Sequence, residues 1–190
     1  MAVDYGPLQG LIGEWFGDKG MDIAPDGPGA AHAEHNPFHE TILFEPIGDV
    51  SNAQSQVIAA LRYHQVVRRQ SDDEVFHNES GYWMWDGERR LIMQNLTIPR
   101  GVALVAGGVA GGVAGSDGSQ TPDEFSVRAA LGDADWPIAQ SPFMRDHAST
   151  VEFTHRMVIT GDSLFYCEHM IIDIYGERFD HSDKNTLQRR

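Results

Sequence analysis

The segment VFHNESGYWMWDG, residues 75–87, has the two-residue period of a β-strand whose alternate side chains point to opposite faces. The period places four side chains on one face: His77, Glu79, Trp83 and Trp85. Phe76 falls on the opposite face, so Phe76 and His77 can line one pocket only at a strand end, a rim or a bulge. The residues that follow, DGERR at 86–90, have the composition of a hairpin turn.

The same period recurs along most of the chain. Strands are predicted in ETILFEPIG (40–48), QVIAALRYHQVVRR (56–69), RRLIMQNLTI (89–98), DEFSVRAAL (123–131), TVEFTHRMVIT (150–160) and DSLFYCEHMIIDIYG (162–176). Short turns such as TGDS at 160–163 separate them. This spacing predicts an all-β fold, an antiparallel meander that closes into a barrel and so removes its edge strands.

Two segments have a possible helical period. Residues 5–17, YGPLQGLIGEWFG, place Leu8, Leu11 and Ile12 at helical spacing and predict a short helix near the start. Residues 52–64 are ambiguous, and we favour a strand after Val57.

The glycine-rich segment GVALVAGGVAGGVAGSDG, residues 101–118, superficially resembles a membrane segment. It is too short to span a bilayer and too rich in glycine for a stable helix, and it lacks the Gly-Lys-Ser/Thr of a phosphate loop. We therefore predict a flexible hairpin end, with residues 107–118 as a loosely packed loop.

Composition limits the classes of function. The chain has 190 residues, which fits one domain over residues 1–190, and its 28 acidic and 14 basic residues give a net charge of −14. This charge disfavours nucleic acid and anionic membranes as partners. The start, MAVDYGPLQG, lacks the basic and apolar regions of a secretory signal, so we expect no export. The single cysteine, Cys167, excludes an intrachain disulfide. No histidine and acid stand at a spacing that would mark Cys167 as a nucleophile, and we interpret it as unreactive. We expect a cytoplasmic protein that binds a small molecule.

Barrels of this size commonly enclose one small ligand, which draws attention to the nine histidines. Three of them stand close together with acidic neighbours: His32, His35 and His39, with Glu34 and Glu40. Such a group can bind a transition metal. Pro37 and two earlier prolines exclude the helix that would align His35 with His39, so a solvated loop is the simpler interpretation.

Four motifs in order resemble the nitrobindin family of heme-binding β-barrels. HNESGY at 77–82 resembles that family's His-x-Glu-Ser-Gly-Tyr, and PLQGLIGEWFGDKG resembles its opening Pro-Leu and Gly-x-Trp-x-Gly. SLFYCEHM resembles its Leu-x-Tyr-x-x-x-Met strand, and HSDKNTLQR its terminal histidine segment. The residues that match are Gly13, Trp15, Gly17, Leu164, Tyr166, Met170, His181 and Leu187.

The resemblance implies a ten-stranded antiparallel barrel, related in shape to lipocalins and fatty-acid-binding proteins, with a short N-terminal helix and heme b at its open end. It implies His181 as the axial iron ligand. It also implies four residues that line the heme pocket: Phe76, His77, Gln94 and Met170. The activities implied are isomerisation of peroxynitrite to nitrate by ferric heme, and binding of nitric oxide.

Three hypotheses remain open at this point. The first is a heme protein with His181 axial and His77 near the distal face. The second is a non-catalytic carrier of a small hydrophobic molecule without heme, favoured if the bulk of Trp83 and Trp85 fills the space that a porphyrin needs. The third is a metal-dependent protein that uses the histidines at 32–39.

Overall fold

The computed structural model describes residues 2–28, 33–111 and 123–190, and most of them form strands. The strands are β1 (Gly13–Pro25), β2 (Ala33–Asn52), β3 (Gln56–Arg69), β4 (Val75–Asp86), β5 (Leu91–Ile98), β6 (Val102–Gly111), β7 (Asp123–Ala130), β8 (Ile138–Gln140), β9 (Ala148–Thr160), β10 (Ser163–Ile174) and β11 (Glu177–Arg189). A 3₁₀ helix, Gly6–Leu11, precedes them, and helix α1, Pro142–His147, precedes β9. Neither of these described helices has the length and apolarity to cross a membrane.

The strands form one antiparallel sheet that closes on itself. Their order is β5-β4-β3-β2-β1-β11-β10-β9-β7-β6, and pairing of β5 with β6 completes a barrel of ten strands. The three-residue β8 pairs with the first part of β6. The prediction of an all-β, ten-stranded antiparallel barrel with a short N-terminal helix is confirmed.

Two local predictions differ from the structure in their bounds. The helix predicted over residues 5–17 ends at Leu11, because the alternation of buried Trp15 and Gly17 with outward residues carries the chain into β1. The loop predicted over residues 107–118 is a strand up to Gly111, where β6 pairs with β5 and β7. Residues 112–118 lie outside the described part of the chain.

Glycine is needed in β6 because the neighbouring strand comes very close. A Cβ atom at Gly108 would overlap the carbonyl oxygen of Ser126 in β7. The glycines that suggested flexibility therefore allow a close approach of two backbones instead.

One end of the barrel is filled by the hydrophobic core. The 3₁₀ helix buries Leu8 and Leu11 there, and the Trp15 indole donates a hydrogen bond of 2.7 Å to the Leu11 carbonyl. Trp83 and Trp85 are buried in the same core. The two tryptophans of β4 therefore fill the closed end and leave the other end of the barrel free.

A bulge in β4 brings Phe76 and His77 to the same side. Val67 of β3 pairs with His77, but the next residue, Arg68, pairs with Val75, so Phe76 is the extra residue. On a regular strand, Phe76 and His77 would point to opposite faces and could not line one pocket. The bulge allows both to do so.

The tight contact at Gly81, inside the HNESGY motif, gives a stability prediction. A Cβ atom at Gly81 would overlap the backbone carbonyl oxygen of Asn95 in β5, which cannot move without shifting the strand. We expect Gly81→Ala to lower the free energy of unfolding by about 1–3 kcal/mol. Ser80→Ala, at the exposed neighbouring position, should change it by less than about 0.5 kcal/mol. Urea denaturation of both variants measures this, and equal stabilities would show that β5 is not in close contact there.

Candidate functional site

The open end of the barrel contains a cavity of about 590 Å³. Much of its wall is apolar and includes Phe38, Val67, Phe76, Ile98, Val102, Met144, Met170, Ile172 and Ile174. The polar part includes Asp22, Gln65, Arg69, His77, Arg100, Glu168, His181 and Asp183. A cavity of this size, with an apolar wall and a few convergent polar groups, is typical of a small-molecule site.

The structure brings together four of the five residues predicted to form the site. Phe76, His77, Met170 and His181 all line the cavity, and Met170 pairs directly with His181 across β10 and β11. Gln94 does not line the cavity. It is fully buried in β5, where it takes part in a hydrogen-bond network.

His181 lies between two carboxyl groups at the cavity wall. Its Nε2 is 2.6 Å from Asp22 Oδ1 and 3.5 Å from Asp183 Oδ2. Burial disfavours the imidazolium form, but the hydrogen bond with Asp22 and the nearby Asp183 outweigh burial and raise the pKa of His181. Burial likewise acts against ionisation of Asp22, yet hydrogen bonds from His181 and Asn36 lower the pKa of Asp22. Both shifts favour an ion pair between the Asp22 carboxylate and the His181 imidazolium.

His77 stands beside the buried carboxylate of Glu79. The distance from His77 Nε2 to Glu79 Oε2 is 3.5 Å. Burial lowers the pKa of His77, but the hydrogen bond and charge of Glu79 exceed this effect and raise the pKa overall. Glu79 is therefore positioned to orient the His77 ring.

Buried hydrogen bonds connect the two sides of the cavity. Glu79 accepts a hydrogen bond from the Tyr63 hydroxyl, and Gln94 donates to Tyr63 at 3.0 Å. The Gln94 carbonyl oxygen lies 3.2 Å from Nδ1 of His155. His155 Nδ1 is in turn 3.5 Å from Glu168, which faces the cavity. Burial lowers the pKa of His155 to about 4, so this imidazole is neutral.

Glu40 is the centre of a second buried group. Its carboxyl oxygens accept hydrogen bonds from Gln65 at 2.7 Å, Asn185 at 2.8 Å and Tyr166 at 2.9 Å. Burial raises the pKa of Glu40 to about 7 in spite of these three donors.

Buried acidic residues were the main feature that the sequence interpretation missed. Glu168 and Asp183 pair across β10 and β11 and both face the cavity. Burial, with the charges of Glu79 and Asp183, raises the pKa of Glu168 well above its ordinary value. Burial raises the pKa of Asp183 to about 7, against the lowering effect of His181. The alternation of side chains along the strand could have predicted the position of Glu168, because Glu168 lies two residues from both Tyr166 and Met170 and so points to the same inward face.

The histidine cluster at residues 32–39 does not form the expected loop. Its described histidines, His35 and His39, lie in β2, and His39 Nε2 is 2.9 Å from Asp73. The described residues contain one group suited to hold a metal ion, Asp22 with His181 and Asp183, and neither histidine of β2 belongs to it. His32 lies outside the described residues.

A cysteine, a histidine and an acid also meet on the outer face of the barrel. Cys167 Sγ is 3.3 Å from His169 Nε2, and His169 Nδ1 is 3.1 Å from Asp180 Oδ1. The His169 side chain is exposed on this outer face. Burial raises the pKa of the Cys167 thiol, which agrees with the interpretation of this cysteine as unreactive.

The fold and the site together define a class of protein, a small closed β-barrel with a ligand-sized cavity at one end beside a histidine. The chain belongs to the family of THAP4-like, heme-binding beta-barrel domains, whose pattern it matches over residues 4–189. The resemblance to nitrobindins drawn from four short motifs is thereby confirmed.

Comparison with solved structures supports the same fold. The crystal structure of Rv2717c from M. tuberculosis is similar, with a TM-score of 0.70, and the match covers 100% of this chain and 99% of that chain. The two sequences are 20% identical, so this likeness supports the architecture alone. No curated protein sequence gives a significant match.

The buried carboxyl groups predict how stability depends on pH. A carboxyl whose pKa is higher in the folded chain binds its proton more tightly when folded. Its contribution to stability is therefore greatest below the unfolded value and is lost as the pH rises through the folded value. For Glu40 this range runs from 4.5 to about 7, and for Asp183 from 3.8 to about 7.

We expect the free energy of unfolding to fall as the pH rises from about 5 to about 8. Glu168→Gln should make this fall smaller, because the raised pKa of Glu168 also causes stability to be lost as the pH rises. Glu88→Gln, in the exposed turn after β4, is the matched control and should leave the pH dependence unchanged. Urea denaturation across this range measures both. A Glu168→Gln curve parallel to the wild type would mean that Glu168 ionises normally in the folded chain.

Proposed function

We propose that this protein binds heme b in the open-end cavity, with His181 as the axial iron ligand, and that the bound heme isomerises peroxynitrite to nitrate or binds nitric oxide. The observation that carries the proposal is the position of His181. It is an imidazole in the cavity wall of a barrel from a heme-binding family, directly opposite Met170 and held by a buried carboxylate.

The residues present fit a heme group. Phe38, Val67 and Ile98 contribute to an apolar wall that would contact the macrocycle. Arg69 and Arg100 also line the cavity and would hold the negatively charged propionates. Because Trp83 and Trp85 fill the closed end instead, their bulk is no obstacle to a porphyrin at the open end.

Asp22 supports the role of His181 as a ligand. A histidine that binds a metal commonly donates its other ring N–H to a carboxylate, which fixes the ring and makes it more basic. Asp22 is such a carboxylate, and its second oxygen accepts a hydrogen bond of 2.9 Å from Asn36. The axial ligand would therefore be oriented before the heme enters.

Bound ferric heme would supply the iron at which peroxynitrite rearranges to nitrate. The residues of the chain would supply a positive charge and an apolar wall around the iron. Glu79 raises the pKa of His77, which favours a protonated imidazole in the cavity, and this charge would balance that of an anionic reactant. The apolar wall limits the access of water to it.

The first experiment titrates the purified apo-protein with ferric heme. We expect a saturable Soret band typical of histidine-ligated iron, and we expect His181→Ala to abolish or greatly weaken it because the variant loses the iron–nitrogen bond. His169→Ala removes a comparable imidazole–carboxylate pair from the outer face and should bind heme like the wild type. Circular dichroism checks that both variants stay folded.

Two results would count against this proposal. Absence of a saturable complex in the wild type would reject heme binding and leave the carrier of a small hydrophobic molecule as the better hypothesis. A complex that does not change in His181→Ala would reject the ligand assignment.

The second experiment separates His77 from His181. His77→Ala should keep the heme bound but change the rate of peroxynitrite decay and the affinity for nitric oxide, because the protonated imidazole is lost from the cavity. His64→Ala is the control, since this exposed imidazole contacts Asn78 outside the barrel. Stopped-flow absorbance of the heme-loaded proteins measures both, and identical rates in all three would exclude a role for His77.

A further inference from the structure

Three potential metal ligands converge at one point of the cavity wall. They are His181 Nε2, a carboxyl oxygen of Asp22 and a carboxyl oxygen of Asp183, and all three atoms lie within 4.8 Å of one another. Asp22 and Asp183 are direct partners across β1 and β11, and Nε2 of His181 faces both. The backbone pairing of the first and last strands therefore builds the cluster.

These distances suit a single bound cation. Metal–ligand bonds of about 2.0–2.2 Å place two ligand atoms of one ion at most roughly 4.4 Å apart. The Nε2–Oδ1 distance of 2.6 Å and the Nε2–Oδ2 distance of 3.5 Å fall inside this limit.

The surroundings leave the two carboxyl groups available. Asn36 occupies the other oxygen of Asp22, which is 4% exposed. Among the described residues, neither Asp22 nor Asp183 forms an ion pair with a lysine or arginine within 4.0 Å. Arg69 pairs with Asp72 and Glu74, and Arg100 donates to the Phe76 carbonyl. Within the described part of the chain, only the His181 imidazole faces both carboxyl groups, and a bound divalent cation would balance their charge more fully.

From this geometry we infer that the heme-free protein binds one first-row divalent transition-metal ion through Asp22, His181 and Asp183. The imidazole nitrogen favours Zn²⁺ or Co²⁺ over Mg²⁺ and Ca²⁺, which prefer sites made of oxygen ligands alone. The cavity side of the ion remains open to water or a small ligand. This site does not use His35 or His39, the described histidines of β2.

The test is isothermal titration of the full-length apo-protein with Zn²⁺, together with Co²⁺ as a spectroscopic probe. We expect one ion per chain and the d–d absorption of a Co²⁺ site with nitrogen and oxygen ligands. Asp22→Asn, Asp183→Asn and His181→Ala should each weaken binding by about tenfold or more. Asparagine keeps the shape of aspartate, so the two asparagine variants should stay folded, which circular dichroism checks.

Asp180→Asn is the matched control, because Asp180 lies on β11, as Asp183 does, but its carboxylate faces the exterior imidazole of His169 in β10. It should bind Zn²⁺ like the wild type, and so should His39→Ala. The inference is overturned if Asp183→Asn binds Zn²⁺ as tightly as the wild type, or if Mg²⁺ binds this site more tightly than Zn²⁺.

Heme titration of the same variants separates this inference from the proposed function. Asp183→Asn should lose the metal ion but keep the heme complex, whereas His181→Ala should lose both. A wild-type protein that binds Zn²⁺ in the predicted way but no heme would reject the proposed function and support the metal site. The reverse result would reject the metal site alone.

Discussion

The contact between Asp22 and His181 depends on the closure of the barrel. Asp22 lies near the end of β1 and His181 near the start of β11, and the pairing of these two strands places the imidazole 2.6 Å from the carboxylate. A barrel that did not close between its first and last strands would leave a buried carboxylate without its partner, which is costly. The same pairing forms part of the cavity wall, so the fold and the site both require that β1 pairs with β11.

The barrel interior is divided between two kinds of chemistry. At the closed end, tryptophans and leucines pack against the 3₁₀ helix and supply most of the apolar burial. Toward the open end, the interior carries Glu40, Glu79 and Glu168, joined to tyrosines, amides and His155. Such carboxyl groups are tolerated because hydrogen bonds or protonation replace the lost hydration. Of these three glutamates, Glu168 also lines the cavity that contains the proposed ligand.

Much of this organisation was predictable from the sequence. The period of two predicted the greater part of β3, whose first residues were ambiguous, and the inward face of β4. Turn residues located the hairpins after β4 and β9. Family motifs predicted His77, Met170 and His181 in one site, and these residues do line one cavity.

Other features depend on contacts between residues far apart in the chain. The bulge at Phe76 arises from pairing with β3, and the ordered β6 arises because β7 approaches Gly108. Gln94 has the correct parity but lies too far toward the core to reach the cavity. Asp22 and Asp183 are separated by most of the sequence, and no local pattern indicates that they meet beside His181.

The most direct test of the central claim is chemical rescue of His181→Gly with free imidazole. This variant leaves space for the missing ring, so the account predicts that it loses the Soret band of the ferric heme complex and that added imidazole restores it. A His181→Gly protein that binds ferric heme like the wild type, with no response to imidazole, would contradict the claim that His181 is the ligand around which the site is built.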